Sequence, residues 1–214
     1  MKNESIHFDT EAQNWDQDPE KVKRANLFAK EIIDFIHPDT SMNAIDFGCG
    51  TGLLSFALRI NFRSITLIDN SPGMISVLEQ KIDKNEIDNF QPLCIDPMIE
   101  ELELNDFDVV FSSMTMHHIH DLHKIMRIFN SSLKMGGYVC IADLVTEDGT
   151  FHSEHSDFDG HKGFDKDEFI SILGANGFQT EYYKIVFTIE KEVTGENKKY
   201  PLFLLIAKKI KKVV

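Results

Sequence analysis

The stretch "IDFGCGTG", from Ile45 to Gly52, decides the fold of this chain. It continues a short apolar segment, "NAIDF" at 43–47, that is typical of a buried strand. Gly48 and Gly50 allow a tight turn in which backbone N–H groups can approach a ligand, and a helix then begins at Gly52. A strand, a glycine-rich turn and a helix in this order predict a ligand-binding corner of an α/β sheet.

Strand and helix patterns alternate on both sides of this turn. The predicted strands are 43–47, 64–69, 90–96, 107–113, 138–145, 178–190 and 200–209, and the predicted helices are 20–36, 53–60, 71–82, 121–133 and 165–177. Such alternation over roughly a hundred residues indicates a parallel sheet with helices on both faces. The last two strands are joined by one charged loop, so we expect them to pair as an antiparallel hairpin.

The composition narrows the classes of partner. The chain has 214 residues, 42% of them hydrophobic, and a formal net charge of −13. This charge disfavours nucleic acid, whose affinity for proteins comes largely from neutralised phosphates. No apolar run approaches the roughly 18 residues of a membrane helix, and the polar, acidic start is unlike a secretory signal. We therefore expect one domain over 1–214, with no nucleic-acid or membrane partner.

The cysteines indicate the compartment. Cys49, Cys94 and Cys140 form no Cys-x-x-Cys pair, and each lies in or beside an apolar run. We interpret them as reduced and the protein as cytoplasmic. A homodimer is left open by the sequence.

Three acids stand at the carboxyl ends of the first three predicted strands. Asp46 lies beside the glycine turn and suits a cationic ligand. Asp69, seventeen residues after Gly52, can accept hydrogen bonds from both hydroxyls of a ribose. Asp96 is placed to meet the amine of an adenine. Each acid alone could instead be a helix cap or a turn residue, above all Asp96, which precedes a proline.

With these residues, the chain resembles class I S-adenosylmethionine-dependent methyltransferases. The resemblance rests on "AIDFGCGTG", "ITLIDNSPGM", "LCIDP", "FDVVFSSMTMHHIHD" and "LKMGGYVCIADL" and covers about residues 10–210. It implies S-adenosylmethionine as cofactor, with its methionine part near the glycine turn, its ribose on Asp69 and its adenine beside Asn70 and Met74. The expected cofactor-binding residues are Asp46, Gly48, Cys49, Gly50, Asp69, Asn70, Met74, Asp96, Pro97 and Ser112. Trp15 either folds over the cofactor or is ordinary packing.

The resemblance also implies the architecture. We expect an α/β fold, a doubly wound Rossmann-like sheet of seven strands in the order 3-2-1-4-5-7-6, with strand 7 antiparallel. Residues 1–40 should form an N-terminal helical cap, and residues 146–164 a lid or substrate loop.

The segment after the fourth strand bears on the substrate. "SSMTMHH" differs from the motif of enzymes that methylate nucleic-acid amino groups, and this region has no paired glutamates of the kind found in protein arginine methyltransferases. Together with the acidic charge, this indicates a small-molecule substrate. His117 is one of two candidate catalytic residues, and His118 is a candidate substrate contact. Local capping of the next helix is the alternative for both.

The second candidate catalytic residue lies in "FHSEHSDFDGHKGF", 151–164. We expect Gly160 and Gly163 to turn the backbone so that the ring of His161 faces the substrate, with His152 and His155 beside it. A surface loop is the alternative. The spacing of its histidines fits no standard zinc pattern, so no metal site is predicted.

Two further functions compete with catalysis on a small molecule. One is a regulatory domain that binds S-adenosylmethionine or its product without catalysis. It would not need candidate bases near the methyl group. The other is a nicotinamide oxidoreductase, which the spacing of the glycines disfavours.

Overall fold

The structure is a computed structural model and describes residues 8–100, 104–154 and 158–213. Its strands are β1 Asn43–Phe47, β2 Ser64–Asp69, β3 Phe90–Cys94, β4 Phe107–Ser113, β5 Leu133–Leu144, β6 Phe178–Val193 and β7 Glu196–Lys209. Its α-helices are α1 Pro19–Ile36, α2 Leu53–Leu58, α3 Pro72–Lys84, α4 Leu122–Ser132 and α5 Lys166–Ala175. Short 3-10 turns cover Ala12–Gln17, Arg59–Asn61 and Met116–His118.

The seven strands form one mixed sheet in the order β3-β2-β1-β4-β5-β7-β6. The neighbouring pairs from β3 to β5 are parallel, whereas β7 is antiparallel to both β5 and β6. The predicted fold class and strand order are confirmed. Because β1 lies between β2 and β4, the chain reverses its direction of winding there, and the carboxyl ends of β1 and β4 open a crevice for a ligand.

Side-chain alternation along the strands fills two cores. Ala44 of β1 belongs to the core under α1, α2 and α3, and its neighbour Ile45 belongs to the core under α4 and α5. Both residues are at most 2% exposed. A strand whose two faces are both buried reads as a continuous apolar run, which is why "NAIDF" carries so little alternation.

Helices α1, α3 and α5 begin at polar caps. The side chain of Asp18 accepts the N–H of Glu20, and that of Ser71 accepts the N–H of Met74. Asp165 caps α5 in the same way. A proline follows two of these caps at the first helical position, where its missing N–H costs nothing.

Three element boundaries differ from the prediction. β3 ends at Cys94, so Asp96 lies in the turn beyond it. β5 begins at Leu133, the last residue of the predicted helix 121–133, because Leu133 pairs with Phe107 of β4. The hairpin of β6 and β7 extends through the predicted charged loop to a two-residue turn, Thr194-Gly195, with positive φ at both residues. Such a turn matches the twist of the two strands.

Candidate active site

A cavity of about 630 Å³ lies where the glycine turn and the carboxyl ends of the central strands meet. Nine of the ten predicted cofactor residues line it: Asp46, Gly48, Cys49, Gly50, Asp69, Asn70, Met74, Asp96 and Pro97. The tenth, Ser112, does not. Its side chain is buried and donates a hydrogen bond of 2.7 Å to the Phe47 carbonyl, which ties β4 to β1. The neighbouring Ser113 lines the cavity instead.

Backbone hydrogen bonds hold the glycine turn against β2. The N–H groups of Gly48 and Cys49 both donate to the carbonyl of Ile68, at 2.8 and 3.0 Å. Gly48 has a φ of 68°, and a Cβ there would lie 2.3 Å from the side chain of Thr115. The turn therefore requires glycine at this position for two independent reasons, backbone conformation and space.

Gly48→Ala should destabilise the protein much more than Gly50→Ala. Gly50 also has a positive φ, but a Cβ there would meet only the Met74 sulfur, at an ordinary 3.8 Å. We expect about 1 kcal/mol for the strain at Gly50 and at least twice that at Gly48, where Thr115 must also move. Denaturant unfolding of both variants checks this. Equal losses of stability would contradict the close packing against Thr115.

Two acids flank the turn, of which Asp46 is buried and Asp69 is half-buried. The Oδ2 atom of Asp46 accepts the Ser55 hydroxyl at 2.6 Å, and the side chain of Asp46 is 2% exposed. Burial raises the pKa of Asp46 to about 7, and the nearby charge of Asp69 adds to this. Burial also raises the pKa of Asp69, against the backbone N–H groups of Ser71 and Gly50, which lower it. A cation in the cavity would favour the ionised form of both.

Asp46→Asn should stabilise the ligand-free protein, and more at pH 8 than at pH 5. The folded pKa near 7 lies above the unfolded value of about 3.9, so the cost of ionising Asp46 grows from about pH 4 and is complete above pH 7. Asparagine cannot ionise. The gain at pH 8 should be on the order of 2–4 kcal/mol, or about 5–10 °C in melting temperature. Thermal melts of both proteins at the two pH values test this, and a gain that shrinks as pH rises would contradict it.

The chain before α1 lies over the same cavity. Asp9 accepts hydrogen bonds from the Ser71 hydroxyl at 2.6 Å and from the Gly73 N–H at 2.8 Å. Asp16 accepts the hydroxyl of Thr51 at 2.5 Å. These contacts hold Trp15 in the cavity wall, where its ring also stacks under the Lys21 ammonium at 3.6 Å. This position fits a tryptophan that folds over the cofactor, the first of the two roles considered for Trp15.

Arg24 on α1 is a wall residue that the sequence prediction missed. Its guanidinium is half-buried at the cavity and makes no hydrogen bond or ion pair with any residue that the structure describes. A cation without a close partner inside a pocket can bind an anionic group of a ligand. Its position on an ordinary amphipathic helix gives no sequence signal, because neighbouring charges there are usually solvated.

A histidine and an aspartate pair at the carboxyl end of the sheet. Asp143 in β5 is fully buried, and its Oδ1 atom lies 2.7 Å from His117 Nδ1. Burial alone would raise the pKa of Asp143, but the charge and hydrogen bond of His117 outweigh it and lower the pKa. The ionised carboxylate accepts the Nδ1 proton, which leaves Nε2 of His117 as a proton acceptor. An acid inside the apolar "YVCIADLV" was a signal that sequence reasoning could have used.

Residues of the predicted lid, 146–164, also line the cavity. His152 lines it beside His118, and the His152 ring stacks on Phe158 at a centroid distance of 3.9 Å. Lys191 of β6 holds this segment against the sheet by donating a hydrogen bond of 3.1 Å to the Phe151 carbonyl. His155, the third predicted substrate contact, lies outside the described residues.

The predicted orientation of His161 is wrong. Its ring is not part of the described cavity wall: Nε2–H donates to the Ile119 carbonyl at 3.0 Å. The backbone N–H of His161 donates to the His117 carbonyl at 2.7 Å. Gly160 does allow a close approach, since a Cβ there would lie 2.3 Å from that same carbonyl. Gly160 thus brings the backbone, and not the ring of His161, against the segment of His117.

Comparisons with known proteins agree with this geometry. A family model described as "Methyltransferase domain" matches residues 38–194. An uncharacterized methyltransferase of Schizosaccharomyces pombe is 33% identical over 120 residues, 53% of this chain and 42% of the relative. The malonyl-[acyl-carrier protein] O-methyltransferase of Acetivibrio thermocellus is 32% identical over 142 residues, 64% of this chain and 47% of the relative. The matches thus span less than half the length of these two curated relatives.

Solved structures show the same fold. A methyltransferase from Haloferax volcanii, solved in complex with the activator Trm112, superposes with a TM-score of 0.75 at 18% identity, covering 94% of this chain and 97% of that one. At this identity the likeness speaks for the fold alone. The family assignment rests on the family model, which covers most of the chain and includes the glycine turn, Asp46, Asp69 and the histidine segment. The chain belongs to the class I methyltransferases, which use S-adenosylmethionine as methyl donor.

Proposed function

We propose that this methyltransferase acts on a small molecule and that His117 activates the attacking atom. One observation carries the proposal: a single cavity is lined both by the acids suited to the cofactor and by His117, whose Nδ1 atom is held by the buried Asp143. Its volume of about 630 Å³ falls within the range of about 300–1,000 Å³ that is usual for small-molecule sites.

The cofactor contacts follow from the walls of this cavity. Asp69 is proposed to bind the ribose, and Asp46 with the glycine turn to bind the methionine part. Arg24 offers a partner for the carboxylate of that part. Asn70, Met74, Asp96 and Pro97 are proposed to enclose the adenine. The turn fits a ligand that approaches closely, because Gly50 leaves its surface open where any Cβ would stand.

The chain's own residues supply orientation and a proton acceptor. When bound, S-adenosylmethionine provides a methyl group on a sulfonium, which a nucleophile displaces in line. The Nε2 atom of His117 accepts the proton of an attacking hydroxyl, thiol or ammonium group, and Asp143 stabilises the imidazolium that forms. Phe151 and Phe158 exclude water from the same wall.

Charge and relatives support the choice of a small substrate. The net charge of −13 disfavours nucleic acid. The name of the Acetivibrio relative refers to O-methylation of a malonyl group on an acyl-carrier protein, so the methylated group itself is small. No helix within the described ranges is long and apolar enough to cross a membrane. A cytoplasmic location is part of the proposal, because all three cysteines are unpaired.

The test is transfer of a labelled methyl group. The protein is incubated with S-adenosylmethionine carrying a deuterated methyl, and with a cell extract divided into small-molecule, RNA and protein fractions. Mass spectrometry should find the label in the small-molecule fraction only, and much less of it with His117→Ala. Label in RNA or protein would contradict the proposed substrate class. Tight binding of S-adenosylhomocysteine without any transfer would favour the regulatory alternative.

A further inference from the structure

Three histidines meet at the cavity. His117 and His118 follow β4, whereas His152 comes from the segment after β5. Each offers one ring nitrogen, and these nitrogens all lie within 4.8 Å of one another. The ring centroids of His117 and His118 are 4.1 Å apart, and that of His152 lies 5.2 Å from His117. The sequence hid this set, because His152 lies more than thirty residues after the adjacent His117 and His118.

Three imidazoles around one point are a common ligand set for a divalent transition-metal ion. Zinc binds histidine nitrogen at about 2.0–2.1 Å, so neighbouring nitrogens in a tetrahedral site are about 3.4 Å apart. The present spacing exceeds this by at most about 1.4 Å, which a rotation of the side chains can close. Two of the three residues are half-buried and one is fully buried, so the ion would be partly shielded from water.

The surroundings orient the cluster as metal sites require. Asp143 accepts the Nδ1 proton of His117, so Nε2 is the nitrogen available to an ion. A histidine held by a carboxylate in this way is typical of zinc sites, where it fixes the tautomer and strengthens the ligand. Asp143 is itself fixed by the N–H of Leu144 at 2.7 Å. On the lid side, stacking on Phe158 holds the ring of His152.

We propose that His117, His118 and His152 bind one zinc ion whose open position faces the cavity. The role of the ion rests on the proposed function: with Nε2 of His117 bound to it and no longer a proton acceptor, the ion would activate the substrate's hydroxyl or thiol in that histidine's place by lowering its pKa, and the proton would leave to water. The freed lone pair then forms the bond to the methyl carbon, and the carbon–sulfur pair stays on sulfur as the sulfonium becomes a thioether.

The experiment titrates cobalt, a coloured stand-in for zinc, into the whole chain without a polyhistidine tag. After removal of metal by chelation, one equivalent of Co²⁺ should give the visible absorption of a tetrahedral site, and Zn²⁺ should abolish it. His118→Ala and His152→Ala should each weaken binding at least 100-fold. His120→Ala is the matched control, because this exposed histidine pairs with Asp159 and lies outside the cluster. It should bind Co²⁺ as the unchanged protein does.

Binding of S-adenosylhomocysteine shows that each variant is folded. If Co²⁺ gives no such spectrum, or if the two cluster variants bind it as tightly as the His120 variant, the metal site does not exist. These results are independent of the proposed function, since they need no substrate. Conversely, failure to label any small molecule would overturn the proposed function and leave the Co²⁺ titration unchanged.

Discussion

Asp69→Ala should weaken the binding of S-adenosylhomocysteine by about 100-fold. The carboxylate accepts the Gly50 N–H at 2.7 Å and the Ser71 N–H at 2.9 Å, and its remaining lone pairs face the cavity rim. Two hydrogen bonds from ribose hydroxyls to a charged acceptor contribute about 1.5–3 kcal/mol each, and about 2.7 kcal/mol corresponds to 100-fold in affinity. Calorimetry measures this directly, and the fluorescence of Trp15, the one tryptophan of the sequence, gives a second readout.

Asp96→Ala is the matched control for this prediction. Asp96 also lines the cavity, but it lies in the turn beyond β3, where it accepts the N–H of Met98. We expect less than a tenfold loss of affinity, because an adenine amine would supply one hydrogen bond where the ribose hydroxyls supply two. If Asp69→Ala kept the affinity of the unchanged protein, the ribose would have to lie elsewhere. Circular dichroism of both variants separates lost contacts from lost folding.

The fold was predictable because local signals agree with one another. The glycines of "IDFGCGTG" predict a tight turn. The N-caps Asp18, Ser71 and Asp165 mark where three of the helices begin. Elements of alternating type then leave few topologies. The extent of β6 and β7 was less predictable. Their charged ends pair only with each other, because β7 pairs with β5 from Leu202 onward, and in such a two-stranded ribbon polar residues pair as well as apolar ones.

The candidate site was also only partly predictable from the sequence. The acids at the ends of β1, β2 and β3 were predictable, because strand ends in a parallel sheet meet at one edge whatever the side chains do. The histidines were only partly predictable, because a ring's direction depends on contacts between distant segments: His117, His118 and His152 line the cavity as expected, whereas His161 does not. His161 is the clearest case. Gly160 and Gly163 flank His161 and Lys162 and allow a turn, but the hydrogen bonds of His161 to the carbonyls of His117 and Ile119 determine which group faces inward.

His117→Ala should lower turnover by about 100- to 10,000-fold, the usual contribution of a positioned base. The affinity for S-adenosylhomocysteine should change less than about threefold, because the proposed cofactor contacts lie on the glycine turn and at Asp69. Asp143→Asn should lower turnover at least tenfold, since asparagine can still accept the Nδ1 proton but cannot stabilise the charged ring. Turnover is measured as labelled methyl transferred to the small-molecule fraction.

His161→Ala distinguishes a catalytic histidine from a positioning one. Its ring bonds a carbonyl of the chain and stands outside the described cavity wall, so its removal should cost about 1 kcal/mol of folding stability and lower turnover less than about fivefold. The backbone bond to the His117 carbonyl survives this substitution. If His161→Ala abolished turnover while His117→Ala kept it, the base would be His161, and the lid would have to rearrange when the substrate binds.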